Sequence, residues 1–437
     1  MGHGGSGTVN RICLCLPTNR ACSATLTALH DEAAHAARHL GADVQLLILD
    51  SSDARTRAEH ARAVAALPPT AHVTVHHLDE NDQRAFLRDT IERANLPGPD
   101  RLLHLMLPPA VSYGACTNRA FLLAAALGCH SLHRRDSDSA YQLHAGQPVF
   151  PVHHELPHLG RPATEAATTV TRTDLAPDLL RRPVSLAGAS FIGELSVDIA
   201  EIRRLDEGVY HDVVSLWAPG DWSEERKRDL VDESFSGAGT APFTADHSTL
   251  TVVDPMRVDM CNIAFDRAVY ERVPLPPATD TIGSDYFLLH LVHDARLPGI
   301  LHNRHIENFH TPERRTDAGF PAYQRRFVKF LLSMLYFHDV YDRMAAQGDH
   351  LLDADQHVRP AAITALLRES TRQDRAENIW RLDRVDTAYR KLGGRYAAFA
   401  DQLALERDEL LDEAEADIEA FADLAEAWPA LMEAART

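Results

Sequence analysis

The residues of this chain with the clearest capacity for chemistry are Asp136 and Asp138, in the run Leu132-His133-Arg134-Arg135-Asp136-Ser137-Asp138-Ser139. Two carboxylates one residue apart follow an apolar run that ends at Leu127 and a Gly-Cys-His-Ser turn, so they fall where a buried strand emerges at a sheet edge. Hard divalent cations such as Mg2+ or Mn2+ take oxygen ligands and keep positions open for water and substrate phosphates. A short acidic clasp suits them better than a complete protein cage. Arg134 and Arg135, just before the acids, would balance the loop's charge or meet a diphosphate. Carboxylates spaced by two are equally at home on a solvated loop, so the elements around the pair decide between the readings.

Those elements begin with Asn10-Arg11-Ile12-Cys13-Leu14-Cys15-Leu16. A short continuous apolar run reads as a buried parallel strand, and the helical pattern of residues 24–40 follows it. A second strand over residues 43–49 ends in Asp50-Ser51-Ser52-Asp53, and a third over 73–78 ends in Asp79-Glu80-Asn81-Asp82; each leads into a helix. Repeated strand, polar loop and helix predict an α/β fold with a parallel sheet and right-handed crossovers. Ligands of such sheets gather at the carboxyl ends of the strands. Neither GxGxxG nor GxxxxGK[ST] follows the first strand, which counts against a dinucleotide enzyme or a P-loop kinase.

Val111-Ser112-Tyr113-Gly114-Ala115-Cys116-Thr117-Asn118-Arg119 reads as a small-residue turn feeding a buried helix. A helix N-terminus carries unsatisfied N–H groups and favours an anion. Asn118 and Arg119 are therefore candidates for nucleotide phosphate or ribose; the alternative has Thr117 capping the helix and Arg119 at the surface. His153-His154-Glu155-Leu156-Pro157-His158 lacks the helical register that would set two imidazoles on one metal, and it is expected as a loop over the ligand site. Strand character resumes over residues 184–194, where Glu194 is either a candidate ligand contact or an ordinary strand-end acid. The polar, glycine-bearing stretch 217–246 is expected to help shape an acceptor pocket.

Composition bounds the rest. At 437 residues the chain can bury a substantial core. No run approaches the roughly 18 apolar residues of a membrane span, so a cytoplasmic protein with no membrane partner is expected. Its net charge of −19 argues against a nucleic-acid partner. Six scattered cysteines without CxxC spacing read as reduced core thiols. Residues 1–9 are expected as a flexible leader, 10–320 as the catalytic domain and 321–437 as a helical module. In that module Leu403, Leu410, Leu411, Ile418, Phe421 and Leu424 form a stripe that needs a partner, which predicts a homodimer or burial against the chain's own catalytic domain.

Taken together, Pro17-Thr18-Asn19-Arg20, Tyr113-Gly114-Ala115-Cys116-Thr117-Asn118-Arg119, Arg134-Arg135-Asp136-Ser137-Asp138-Ser139 and Gly283-Ser284-Asp285 resemble the actinobacterial secondary-metabolite glycosyltransferases of the A-type (GT-A) fold. They are similar in particular to the S-glycosyltransferases of lincosamide antibiotic biosynthesis. That resemblance covers residues 10–315 and implies a nucleotide-sugar donor, GDP-linked by preference, and a small-molecule acceptor, which is ergothioneine in the lincosamide case. It implies that Pro17, Thr18, Asn19 and Arg20 lie along the nucleotide, that Asp50 accepts from a base or ribose, and that Arg135 and Asp136 meet the diphosphate. It implies that Asp136 and Asp138 hold the metal with a histidine, His310 first and then His305 or His302, while Arg314 or Arg315 closes on the diphosphate. Asp285 would face the acceptor as base or orienting group; the plain alternative is that Ser284 or Asp285 caps the next helix. A sugar-1-phosphate nucleotidyltransferase and a non-catalytic nucleotide-sugar-binding protein are the competing functions. The first should carry a glycine-rich basic loop after the first strand, and Pro17-Thr18-Asn19-Arg20 is not one.

Overall fold

The computed structural model describes residues 10–197, 199–309, 316 and 319–437. In chain order its strands are β1 (Arg11–Thr18), β2 (Asp43–Asp50), β3 (Val73–Asp79), β4 (Ser131–Arg135), β5 (Ser139–Tyr141), β6 (Leu143–His144), β7 (Gln147–Pro148), β8 (Arg172–Asp174), β9 (Leu186–Gly188), β10 (Phe191–Gly193), β11 (Ser248–Thr251), β12 (Asn262–Asp266), β13 (Gly299–His302) and β14 (Ile306–Asn308). Nine of them form one mixed sheet in the order β3-β2-β1-β4-β12-β9-β13-β11-β8. The first four run parallel, and β12 enters antiparallel beside β4, with Asn262 opposite Arg135. This reversal brings the start of β12 to the edge where β1, β2 and β4 end. A small second sheet, β10-β14-β5, sits beyond that edge, and β6 and β7 make a hairpin.

Alternation along the central strands assigns the two faces. Ile12, Leu14 and Leu16 pack with Val44, Leu46 and Ile48 under the helix Ser23–Leu40. Cys13, Cys15, Leu47 and Leu49 face the other way, into a core shared with the helices Glu80–Ala94 and Tyr113–Ala126. Both faces are covered, which is why these strands read as unbroken apolar runs. The α/β class and the helical C-terminal region expected from the sequence are both present.

The apolar stripe of the C-terminal region has its partner inside the chain. Leu403, Leu410, Leu411, Ile418, Phe421 and Leu424 are all buried, in the core that also holds the helices Gly319–Gln347, Pro360–Ser370 and Ala376–Leu392. Phe421 meets Phe287 edge to face at 4.8 Å, and the Trp428 indole N–H donates to the Tyr270 carbonyl at 2.9 Å. The stripe that suggested a dimer therefore closes the chain's own core, and the reason for expecting a second subunit falls away. No helix of the described residues is long and apolar enough to cross a membrane.

One carboxylate opposes this packing at neutral pH. Asp294 ends the helix Phe287–Asp294 with one oxygen unpartnered, and burial, with Asp342 nearby, pushes its pKa up to about 7. A raised carboxyl pKa favours the folded state below about pH 4 and loses that advantage as pH climbs through about 7. Asp294→Asn should therefore raise the melting temperature by a few degrees at pH 8 and leave it unchanged at pH 4, as measured by thermal denaturation at the two values.

Candidate active site

β4 is buried along its whole length although four of its five residues are polar. Strand geometry sends His133 and Arg135 to one face and Arg134 to the other. On the first face Arg135 donates to both oxygens of Glu32 (2.9 and 3.1 Å) and to Glu155 (2.8 Å), and His133 pairs with Glu155 at 2.7 Å. On the second, Arg134 binds Asp285 and, at 3.0 Å, Asp136. Burial works against the Arg134 charge, but Asp136 and Asp285 hold its pKa well above the ordinary value.

Asp136 and Asp138 follow on the loop to β5, side chains 28% and 14% exposed, with Arg20 on Asp138 at 2.6 Å. Asp259 lies just before β12 and accepts from the Tyr286 hydroxyl. Burial first, then the charges of Asp138, Asp285 and Asp259, lift the Asp136 carboxyl to about 6 against the pull of Arg134. These four acids line one cleft with a cavity volume of about 190 Å³. Its walls come from the sheet edge, from residues 281–286, from the 217–237 segment and from the helix Gly319–Gln347. Carboxylate oxygens are the donors a hard divalent cation takes, and among the described residues Arg134 and Arg20 offset part of their charge; no three of the four acids bring ligand atoms within 4.8 Å of one another.

The structure brings Asp136, Asp138 and Asp285, three of the residues singled out in the sequence, to one cleft. The helix after Asp285 starts at Tyr286–Phe287 with no side-chain cap, so the capping alternative does not hold. Thr18, Asn19 and Arg20 lie at the same edge, the Thr18 hydroxyl bonding the backbone of Arg20 and Arg20 reaching Asp138; Pro17 is partly buried in β1. Glu194 is exposed beside β14, outside the set of residues lining the cleft.

Several expected ligand contacts are instead structural. The helix begins at Tyr113 with Ser112 as its cap, a turn earlier than expected, so Asn118 and Arg119 are buried within it. Asn118 clamps the Leu275 backbone, donating to its carbonyl at 2.8 Å and accepting from its N–H at 2.7 Å. Gly114 allows the close approach: a Cβ there would lie 1.9 Å from the Pro276 carbonyl oxygen. Arg119 bonds Gln83 and the Met106 carbonyl. Arg135 is consumed by Glu32 and Glu155. Asp50 is fully buried under His60 (2.9 Å), His77 (2.8 Å) and Ser52; burial opposes its charge, yet those hydrogen bonds hold its pKa far below the usual range. It has no oxygen facing a nucleotide.

The histidine expectations divide. His302 is buried against Glu155 and stacked on His154, and the His305 imidazole accepts from the Ser190 N–H. His310, Arg314 and Arg315 lie outside the described residues. The 153–158 segment forms the short helix Val152–Glu155 behind β4, with His154 on Asp246 at 2.9 Å, and none of it lines the cleft. Among the described residues two groups bring three ligand atoms within 4.8 Å of one another, Asp50-His60-His77 and His153-His154-Asp246; hydrogen bonds join all three members of the first, and in the second they join His154 to Asp246. Sequence reasoning missed Asp259, whose only signal is its place three residues before an apolar strand, and the depth of Arg134.

The fold and site define an α/β protein with an acid-lined cleft at the carboxyl ends of its parallel strands, roofed by C-terminal helices. By sequence the chain belongs to a family of unknown function, DUF6271, whose model matches residues 10–437. No curated protein matches it. Among solved structures it is similar to glucosyl-3-phosphoglycerate synthase from Mycobacterium tuberculosis in complex with UDP, at 17% identity and a TM-score of 0.35, over 74% of this chain and 80% of that one. It is similar also to the mannosyltransferase PcManGT from Pyrobaculum calidifontis in complex with GDP-Man and Mn2+ (13%, TM-score 0.37, 95% and 87%), and to S. aureus TarS 1–349 (9%, 0.34, 96% and 91%).

Asn118→Ala should expose the importance of the clamp. It strands a buried N–H and a buried carbonyl, each costing about 1–3 kcal/mol, so chemical denaturation should show a loss of at least about 2 kcal/mol.

Proposed function

We propose that this protein is a metal-dependent glycosyltransferase of the A-type fold, which moves a sugar from a nucleoside diphosphate donor to a small-molecule acceptor. The observation that carries the reading is that Asp136, Asp138, Asp259 and Asp285 line one cleft, with the buried Arg134 holding Asp136 and Asp285. A GDP-sugar, an acceptor from secondary metabolism such as the ergothioneine thiol in a lincosamide-type pathway, and a cytoplasmic setting are the finer points; they follow from the sequence resemblance alone.

In this reading Asp136 and Asp138 hold Mg2+ or Mn2+. Such an ion, when bound, stabilises the negative charge that grows on the diphosphate leaving group. The chain's own groups do the rest. Arg20, tied to Asp138, is the described cation best placed for phosphate oxygens. Arg134 fixes the Asp285 carboxylate from beneath, so that it orients the acceptor's nucleophile rather than swinging freely. A thiol acceptor loses its proton easily and asks little of Asp285 as a base, whereas a hydroxyl acceptor asks more. The aromatic walls of the cleft exclude water from the reacting centre and so limit donor hydrolysis.

Isothermal titration of the full chain with UDP and GDP, with and without Mn2+, followed by an assay of donor hydrolysis and transfer, tests the reading. Metal-dependent binding of one nucleotide and sugar release from its donor are expected. Asp138→Ala should lower turnover by about 100-fold or more; a variant with full turnover and ordinary metal dependence would remove the central assignment.

A further inference from the structure

The cleft has a second chemical character beside its acids. The helix Gly319–Gln347 turns Phe330, Phe337 and Tyr341 into it, and Trp217 joins them from the segment before the helix Glu224–Glu233. These rings are ordered against one another: Trp217 meets Phe330 edge on at 5.6 Å, and Phe337 and Tyr341 lie nearly parallel at 5.8 Å. Tyr341 in turn stacks on the His290 imidazole at 3.8 Å with 9° between planes. Gly283 is required here, since it has φ +70° and a Cβ would come to 3.0 Å from the Phe330 ring. The aromatic wall and the Ser284-Asp285 segment are thereby built as one piece.

Two polar groups open into this wall without protein partners. The Ser284 hydroxyl is 3% exposed, lines the cleft and has no hydrogen-bond partner. His290, half-buried, also lines the cleft with no hydrogen bond to the described residues, and burial holds its pKa down at about 3, so its ring is neutral with one N–H to give and one nitrogen to accept. Buried polar groups are ordinarily paired, and unpaired ones aimed at a cavity mark where a ligand supplies the partner. Among the described residues lining the cleft every formal charge is a carboxylate, Glu233 included, and of these Asp417 is paired from behind with Lys329. An anion is therefore disfavoured in the chamber, while stacked rings favour a planar guest.

We propose that this chamber is the acceptor subsite and that it takes an uncharged, planar ring compound whose hydroxyl or ring N–H is met by Ser284 and His290. The inference deepens the glycosyltransferase reading and rests on it for the word acceptor; the ring-binding chamber itself stands on the cleft's geometry. It makes Tyr341 and Phe330 determinants of acceptor shape, and His290 and Ser284 determinants of its polarity.

Three probes of similar size separate the requirements: indole-3-ethanol is planar and neutral, 2-cyclohexylethanol is neutral without a planar ring, and indole-3-acetate is planar and anionic. Calorimetry on the full chain without donor should show indole-3-ethanol binding at least about tenfold more tightly than either of the others. Tyr341→Leu should weaken it about tenfold, Tyr341→Phe should not, and His290→Ala provides a second test if the leucine variant fails to fold. Equal binding of the cyclohexyl or anionic probe, absence of indole-3-ethanol binding, or indifference to Tyr341→Leu and His290→Ala would overturn the inference. GDP and UDP titrations with Mn2+ on the same preparation keep the two readings apart. Nucleotide binding without ring binding sinks the chamber alone, and ring binding without nucleotide sinks the glycosyltransferase reading alone.

Discussion

The arrangement of this molecule's cleft depends on one buried guanidinium. Arg134 is 2% exposed, far from the solvation an arginine normally keeps, and the cost of removing that charge from water is several kcal/mol. Asp285 and Asp136 offset it, one from a segment 150 residues away and one from the adjoining loop. Neither acid can leave without stranding the arginine, and the arginine cannot leave without forcing carboxylates against one another. A site that holds negative charges together is therefore also the tie between β4 and the segment that opens into the helix Phe287–Asp294. The electrostatics of the cleft and the local stability of the fold therefore rest on the same set of bonds.

The parallel half of the sheet was legible in the sequence because its signals are local. Continuous apolar runs ended by polar turns mark β1, β2 and β3, and caps such as Asp53 and Asp79 fall where the helices start. Asp136, Asp138 and Asp285 were legible for a related reason, since each sits at the junction of an element with a loop. What was not legible is which polar residues are consumed internally. Asn118 reads the same on paper whether it bonds a ribose or the Leu275 peptide, and only the packing of the Tyr113–Ala126 helix on residues 275–276, enforced at Gly114, decides. Arg134 and Arg135 are adjacent in sequence and opposite in space. Their difference lies in the strand's two-residue period, which assigns one to the cleft and the other to Glu32 and Glu155.

The long C-terminal helices carried a second ambiguity of the same kind. An apolar stripe states that a surface is covered and says nothing about by what. The helix Gly394–Arg436 is covered by the chain itself, and in closing that core it places Asp417 and Ile418 at the cleft. The helical region is thus part of the site it covers. Lys329, buried on the facing helix, binds Asp417 at 2.8 Å and the Thr279 carbonyl at 2.9 Å, so one ammonium ties the last helix to the segment that leads into Asp285.

This construction explains why acid and aromatic walls can share so small a volume. Residues 275–286 are held at one end by Asn118, near the middle by Lys329 and at the far end by Arg134, each hydrogen bond made to a backbone or a carboxylate rather than to a mobile neighbour. Between the last two anchors Gly283 drops its side chain to admit the Phe330 ring, and Ser284 and Asp285 then face the cleft from a segment with little freedom left. Loops normally lose precision as they gain reach. Three fixings along one twelve-residue segment remove that freedom, and the cleft's chemistry is set by residues whose positions were decided during folding rather than upon binding.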